Sequence, residues 1–222
     1  MTLLDSLIAI VTPYSCLGCG VEGSALCARC RQSVNDLRIA PRCFRCRQPT
    51  QDFRVCLGCK AGTNLRQVWV TAELKGLAKQ LLYFYKFERA QGAGGLLAQL
   101  MEPLLPRGKG YVLVSVPTAT SRLRERGYDH SYLIARQLAP DRNEVVRGLV
   151  RLNQTRQVGA HRQERLTQLR GAFRVTHGEQ LKGRKVLLID DVITTGATLQ
   201  EASHVLMQAG VASVDALVFA QK

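Results

Sequence analysis

No cysteine follows Cys59, no lysine interrupts the stretch from Arg122 to Arg174, and no apolar run approaches the length of a membrane span. The last absence excludes a spanning helix, which needs about 20 apolar residues. The opening TLLDSLIAIV is broken by Asp5 and Ser6, lacks a positive flank before it and lacks a clean small-x-small site after it. It therefore does not read as a secretory leader. Leu3, Leu4, Leu7, Ile8 and Val11 share one face of a short amphipathic helix that ends before Pro13, and a cytoplasmic protein is expected. The four histidines show no metal-ligand spacing, which leaves any zinc to cysteine. Acids are also scarce: 17 Asp and Glu stand against 31 Lys and Arg, a formal charge of +14. That excess points to a polyanionic partner, nucleic acid or a phosphorylated ligand, although a merely basic protein shares the trait.

What is present begins with eight cysteines confined to Cys16–Cys59, a segregation that marks a module boundary near residue 60. With 222 residues, 46% of them apolar, the chain has room for a small unit at 1–62 and a medium domain at 66–222. The cysteines form four CxxC pairs: Cys16 and Cys19, Cys27 and Cys30, Cys43 and Cys46, Cys56 and Cys59. A CxxC turn aims both sulfurs at one point, and two such turns complete a tetrahedral four-cysteine zinc centre, so two structural zincs are expected. Disulfides are the competing reading, disfavoured for a cytosolic chain. Pairing of neighbouring turns closes the shorter loops and favours a double zinc ribbon over a cross-braced arrangement. Eight thiolates and two Zn²⁺ would lower the charge to about +10, still strongly basic. From Cys27 to Lys60 eight basic residues face only Asp36 and Asp52, giving the ribbon either a contact face or a solvated one.

The most informative stretch is VLLIDDVITTGATL, Val186 to Leu199. Val186–Ile189 suits a strand buried on both faces of a parallel sheet. Asp190 and Asp191 then stand at its C-terminal edge, where open α/β sheets bind ligands. Thr194, Thr195, Gly196, Ala197 and Thr198 lead into a helical pattern at Leu199, Ala202, Val205 and Leu206, capped by Gly210. Unpaired N–H groups at a helix start, together with hydroxyls and a glycine, form a phosphate cradle. Two acids beside a phosphate must hold something else, ribose hydroxyls or Mg²⁺. A solvated strand end followed by a tight turn is the plainer alternative. The string resembles the phosphoribosyl pyrophosphate (PRPP) motif of type I phosphoribosyltransferases. That resemblance implies that Asp190 and Asp191 face the ribose 2′ and 3′ hydroxyls, and that Thr194 to Thr198 hold the 5′-phosphate.

Elsewhere Trp69, Val70 and Ala72 suggest a short strand, and Leu74, Leu77, Ala78, Leu81, Leu82 and Tyr85 keep helical spacing. A second helix is expected over Leu96 to Leu105, and Val112–Val116 reads as another buried strand. The aromatic set Tyr83, Phe84 and Tyr85 reads as core more readily than as a base-stacking platform.

In order along the chain come a strand ending in Val116-Pro117, a basic loop with Arg126-Gly127-Tyr128-Asp129-His130, and a segment with Arg151, Thr155 and Gln157. Arg165, Gln168, Gly171, Ala172 and Phe173 follow, and then the PRPP motif. With the CxxC module in front, this set resembles the competence protein ComF/GntX family over nearly the whole chain. That family usually has RGFNQ at 126–130 and Asn at 168. The charge at Asp129 therefore argues against a phosphate contact there, and His130 sits where a group titrating near neutrality would matter. The resemblance implies an α/β fold, with a type I phosphoribosyltransferase-like parallel sheet flanked by helices behind a double zinc ribbon. It also implies handling of imported single-stranded DNA in natural transformation or DNA utilisation, and association with a DNA helicase and recombination mediators.

Arginine is the exclusive base from Arg122 to Arg174, and its planar fork suits phosphate oxygens. Arg122, Arg124, Arg126, Arg151, Arg156, Arg162 and Arg165 are accordingly candidates for contacts with DNA or with pyrophosphate, the segment from Arg151 to Arg165 acting as a lid in the second case. A solvated Arg-rich helix is the third option. Three functions stay open: a DNA-handling accessory protein with a PRPP-type site, a Mg²⁺- and PRPP-dependent phosphoribosyltransferase of unknown acceptor, and a PRPP-binding regulator. No general base can be assigned.

Overall fold

The computed structural model describes residues 15–87, 93–139, 144–152 and 171–222. The helix expected over Leu3 to Val11 lies outside the described residues. Five parallel strands form the main sheet: β1 (Leu65–Glu73), β2 (Tyr111–Ser115), β3 (Val145–Val146), β6 (Lys185–Ile193) and β7 (Ser213–Gln221), in the order β1-β7-β6-β2-β3. A separate antiparallel pair joins β4 (Leu149–Arg151) to β5 (Phe173–Val175).

β6 and β7 read as continuous apolar runs because helices cover both faces of this sheet. Leu187, Leu188 and Ile189 are fully buried, and every residue of β7 is buried. Each such large side chain contributes about 1.5–3 kcal/mol relative to an exposed one. Among the described residues the helices of this domain are α3 (Gly76–Phe87), α4 (Ala93–Met101), α5 (Thr120–Arg126), α6 (His130–Leu138), α7 (Gly178–Leu181) and α8 (Ala197–Gln208); α1 (Ala28–Asn35) and α2 (Leu57–Lys60) belong to the cysteine module. α4 packs on α6, and α6 on β2 and β6, while α8 packs on β6 and β7. From β6 the chain moves left to β7, and from β2 it moves right to β3, so right-handed crossovers put α8 and α6 on opposite faces. The order reverses between β6 and β2, and a crevice opens there at the C-terminal edge.

Three boundaries differ from the sequence reading. β1 runs nine residues rather than the short stretch around Trp69, and the helix expected to Leu105 ends at Met101, with a single 3₁₀ turn over Glu102–Leu104. β6 does not stop at the two acids but continues to Ile193, because β7 pairs with it as far as Gln221. β2 stops pairing at Ile189, so Asp190 and Asp191 lie on the part of β6 that overhangs the crevice.

β1 is the edge of the sheet, and the cysteine module covers it. Arg38 bridges Ala72, and Arg54 bridges Gln67. Glu73 N–H donates to Leu37 O at 2.9 Å, and Val55 N–H donates to Arg66 O at 2.8 Å. An exposed edge would otherwise offer a row of unpaired backbone groups. Val34, Ile39, Phe44 and Phe53 of the module join the buried core of the sheet. Among the described residues no helix is long and apolar enough to cross a membrane.

Candidate phosphate site and cysteine clusters

The module gathers its cysteines as neighbouring turns. Cys16, Cys19, Cys27 and Cys30 hold their sulfurs within 4.8 Å of one another, and so do Cys43, Cys46, Cys56 and Cys59. Cys19 and Cys27 sulfurs are 3.7 Å apart, Cys46 and Cys56 sulfurs 3.6 Å. All eight are free thiols, far from the roughly 2.05 Å of a disulfide. A tetrahedral centre with Zn–S bonds of about 2.3 Å needs sulfurs about 3.8 Å apart, which these match. The clusters therefore fit zinc-ribbon modules, and the sequential pairing is the one observed. Burial opposes ionisation of Cys16 and Cys43, yet backbone N–H groups, from Cys27 for the one and Cys46 for the other, bring them down to about 6 and about 7. Cys30 is pushed up to about 12 by burial and by the neighbouring thiols, and Cys59 to about 12 by its bond with Cys56 and by burial. Four thiols this close ionise together only with a cation among them.

In the crevice, Asp190 and Asp191 have different surroundings. Asp190 Oδ1 accepts from Ser131 Oγ at 3.1 Å and from the Asp191 N–H at 2.9 Å. Asp191 Oδ2 lies 2.7 Å from Lys86 Nζ, both side chains largely buried. Burial, followed by the charge of Asp191, pushes the Asp190 carboxyl up to about 7, with Lys86 and Ser131 opposing. One carboxylate thus has its cation in place, and the other is held by the Ser131 hydroxyl and a backbone N–H.

The loop after β6 starts α8 at Gly196, whose φ of +80° is left-handed. Thr194 is exposed, Thr195 and Thr198 are half-buried, and Ala197 is buried. Thr195 Oγ1 accepts from the Ala197 N–H at 3.3 Å, turning the hydroxyl into the mouth of the helix. The loop leans on the cysteine module, because a Cβ at Gly196 would meet Phe44 Cε2 at 2.6 Å. Phe44 O in turn accepts from Gln221 Nε2 at 3.0 Å.

Asp129 is a helix cap. Its Oδ1 accepts from the Tyr132 N–H at 3.2 Å and from Thr118 Oγ1 at 3.3 Å, tying the loop after β2 to α6. Burial raises its carboxyl above the usual range, against those bonds. His130 is buried against the rings of Tyr85 and Tyr128. Tyr85, taken from the sequence as core, is fully buried and donates to His130 O at 2.8 Å.

The arginines divide. Arg122 and Arg124 are exposed on α5, directly after β2. Arg151 is half-buried, its guanidinium 5.5 Å from the Phe173 ring centre. Arg156, Arg162 and Arg165, and with them the lid expected from Arg151 to Arg165, lie outside the described residues, as does the side chain of Arg126. β5 packs on α8, and the Gly171 N–H donates to Glu201 on α8 at 2.7 Å. The chain leaving Arg151 therefore returns beside the helix that starts at the phosphate loop.

Lys86, Ser131, Thr118 and Phe44 were not picked out for the site from sequence. Lys86 gave the one available signal, a lysine directly after the buried stripe of Leu81, Leu82 and Tyr85.

A switch-point crevice carrying two acids on a strand and a hydroxyl-rich loop at a helix start defines a phosphoribosyltransferase-type domain. The model of the phosphoribosyl transferase domain matches residues 124–222. The chain is 35% identical over 105 residues to competence protein ComFC of Bacillus subtilis, covering 47% of this chain and 42% of that one. It is 34% identical over 109 residues to competence protein F of Haemophilus influenzae, covering 46% of each. It is 32% identical over 149 residues to the DNA utilization protein YhgH of Salmonella typhi, covering 60% of this chain and 63% of that one. The matched regions thus span about half of the first two relatives. A hypoxanthine phosphoribosyltransferase structure from Staphylococcus aureus aligns over 62% of this chain and 65% of its own, at 17% identity and a TM-score of 0.32. The relatives and the domain together support assignment of the chain to the ComF family.

Proposed function

We propose that this protein is a cytosolic accessory factor that handles imported single-stranded DNA, for natural transformation or DNA utilisation, and that it carries a working PRPP-type site. The relatives named for competence and DNA utilisation support the role. The observation that carries the site is the placement of Asp190, and of Asp191 paired with Lys86, on the stretch of β6 beyond its pairing with β2 and ahead of the loop that starts α8 at Gly196. In this reading Asp190 and Asp191 face the ribose hydroxyls or hold Mg²⁺, and Thr194, Thr195, Gly196, Ala197 and Thr198 surround the 5′-phosphate. Arg122, Arg124, Arg126, Arg151, Arg156, Arg162 and Arg165 serve DNA or pyrophosphate. The organisation is a zinc unit at 1–62 and a phosphoribosyltransferase-like domain at 66–222, and the proposed protein partners are a DNA helicase and a recombination mediator.

A second reading, an active phosphoribosyltransferase, draws on the same crevice. Bound Mg²⁺ would supply charge to a departing pyrophosphate. The residues of the chain would hold the ribose, and the arginines would stabilise the leaving group. The third reading, a regulator, stops at binding.

Calorimetry with Mg²⁺-PRPP, and anisotropy of a labelled single strand across a salt series, separate these readings. Asp190→Asn with Asp191→Asn is expected to weaken Mg²⁺-PRPP binding while leaving the fold intact. Arg156→Ala with Arg162→Ala weakens binding to strands of any sequence and flattens the salt slope by about one to two phosphates' worth, at about 0.7 per phosphate. Pyrophosphate release with an acceptor would favour the enzyme. Absence of PRPP binding in the parent protein would make the motif a relic of the fold.

A further inference from the structure

The N-terminal edge of the sheet, opposite the crevice, carries a second concave surface of about 590 Å³, formed where α2 of the second cysteine cluster meets the starts of β1, β2 and β6. Arg54, Lys60, Arg66, Lys109 and Lys185 line it, and no carboxylate does. Two acids, Asp215 and Asp52, hydrogen-bond to residues of its lining or floor. Asp215 lies beneath the floor, fully buried, accepting from Arg66 Nη2 at 2.5 Å and from Tyr111 Oη at 2.6 Å. Asp52 accepts from Gln67 Nε2 at 2.8 Å and from Trp69 Nε1 at 3.1 Å. Among the described residues, Arg54, Lys60, Lys109 and Lys185 have no carboxylate within 4.0 Å.

From these observations we infer that this groove is a binding site for the phosphodiester backbone of single-stranded nucleic acid, separate from the phosphate loop. The inference rests on the DNA-handling reading above and adds where the strand lies. Arg66 is paired with Asp215, and the other four cations in the concavity focus the field and raise the local concentration of a polyanion. A volume of this size accepts about one or two nucleotide units, as in small-ligand pockets. A duplex is too wide and stiff to enter it, whereas a single strand can bend in. The aromatic rings nearby are not platforms for bases, because Trp69 is 3% and Tyr111 9% exposed. Recognition is therefore of phosphate, with little preference among bases. At about 3.3 Å per residue, Lys185 and Asp190 are about 17 Å apart along β6, so the two sites can be varied independently.

The test uses the full chain with its metal. Arg54→Ala, Lys109→Ala and Lys185→Ala are combined; all three side chains are exposed, and none ligates sulfur or lines the crevice. Anisotropy of an oligo-dT strand of about 15 nucleotides is expected to show about tenfold weaker binding and a salt slope flatter by about 2. Mg²⁺-PRPP titration and thermal unfolding are expected to be unchanged. If the parent protein does not bind the strand, the DNA reading fails and takes this inference with it. If the parent binds and the triple variant binds as tightly, while Arg122→Ala with Arg124→Ala weakens the complex, the strand lies elsewhere: the inference is overturned and the DNA reading stands. Loss of tripolyphosphate binding in the triple variant without any loss of strand binding would make the groove a small-anion site, also overturning it. Equal binding of poly-glutamate by the parent, lost in the triple variant, would mark an acidic-protein dock and overturn it too.

Discussion

A Cβ on Gly196 would lie 2.6 Å from Cε2 of Phe44. Phe44 sits inside the CxxC turn of Cys43 and Cys46, so the second cysteine cluster forms the wall behind the phosphate loop. Gly196 is needed for its left-handed φ of +80° as well as for this close approach. Gly196→Ala is therefore expected to cost about 1–2 kcal/mol from the backbone alone, plus the displacement of the ring. Urea unfolding and PRPP titration of Gly196→Ala, with and without Phe44→Leu, check this. Full stability in the single variant would mean that the ring does not brace the loop.

Metal content gives an asymmetric expectation. Two zincs per chain are expected, and fewer than about 1.5 in protein purified without chelator would reject two four-cysteine centres. Cys43→Ser with Cys56→Ser should lose one zinc and also loosen the phosphate loop through Phe44. Cys16→Ser with Cys27→Ser should lose the other zinc with PRPP affinity retained. Equal loss of PRPP affinity in both pairs would contradict the bracing role of Phe44.

The Asp190 carboxyl is raised to about 7, first by burial and then by Asp191, so the proposed Mg²⁺-PRPP binding is expected to depend on pH. A ligand that needs the carboxylate must displace the proton, so affinity for Mg²⁺-PRPP should rise as pH climbs through about 7 and level off above it. Folding stability has the opposite sign. The folded pKa exceeds the unfolded value of about 3.9, so this group's contribution is complete below about pH 4 and is lost as pH rises through about 7. Lys86 holds the value down, and Lys86→Met should move the binding midpoint to higher pH. Calorimetry across pH on both proteins decides; a flat profile in the parent would place Asp190 outside the ligand's reach.

At the other edge, Asp215 is fully buried and serves Arg66, the Gln67 N–H at 3.0 Å and the Tyr111 hydroxyl. Asp215→Ala should cost about 1–3 kcal/mol, because it leaves the Tyr111 hydroxyl and the Gln67 N–H without their acceptor. Arg66→Ala should cost more, about 3–5 kcal/mol, because it leaves the fully buried Asp215 carboxylate without its cation. Denaturant melts of the two variants test the ranking. A cost for Arg66→Ala well below that of Asp215→Ala would mean that Tyr111 and Gln67 hold the buried carboxylate without the arginine.

What could be read from the chain alone was whatever is written locally. The CxxC turns, the apolar run Val186–Ile189, the acids and threonines after it, and the helical stripe from Leu74 to Tyr85 all act over a few residues, where spacing dictates geometry. Their order along the chain was enough to suggest the parallel sheet and the family. The end of β6 was not legible, because Asp190 to Ile193 stay extended only by pairing with the long β7. Nor was the role of Asp129, whose partners Thr118 and Tyr132 come from a loop and a helix that meet only in the fold. Lys86 finds Asp191, Ser131 finds Asp190, Phe44 finds Gly196, and Arg54 and Lys185 line one groove because the sheet order brings distant segments to shared edges. A periodic pattern carries no record of such meetings: backbone geometry decides which residues lie three or four apart on a helix, and only packing decides which helix lies over which strand.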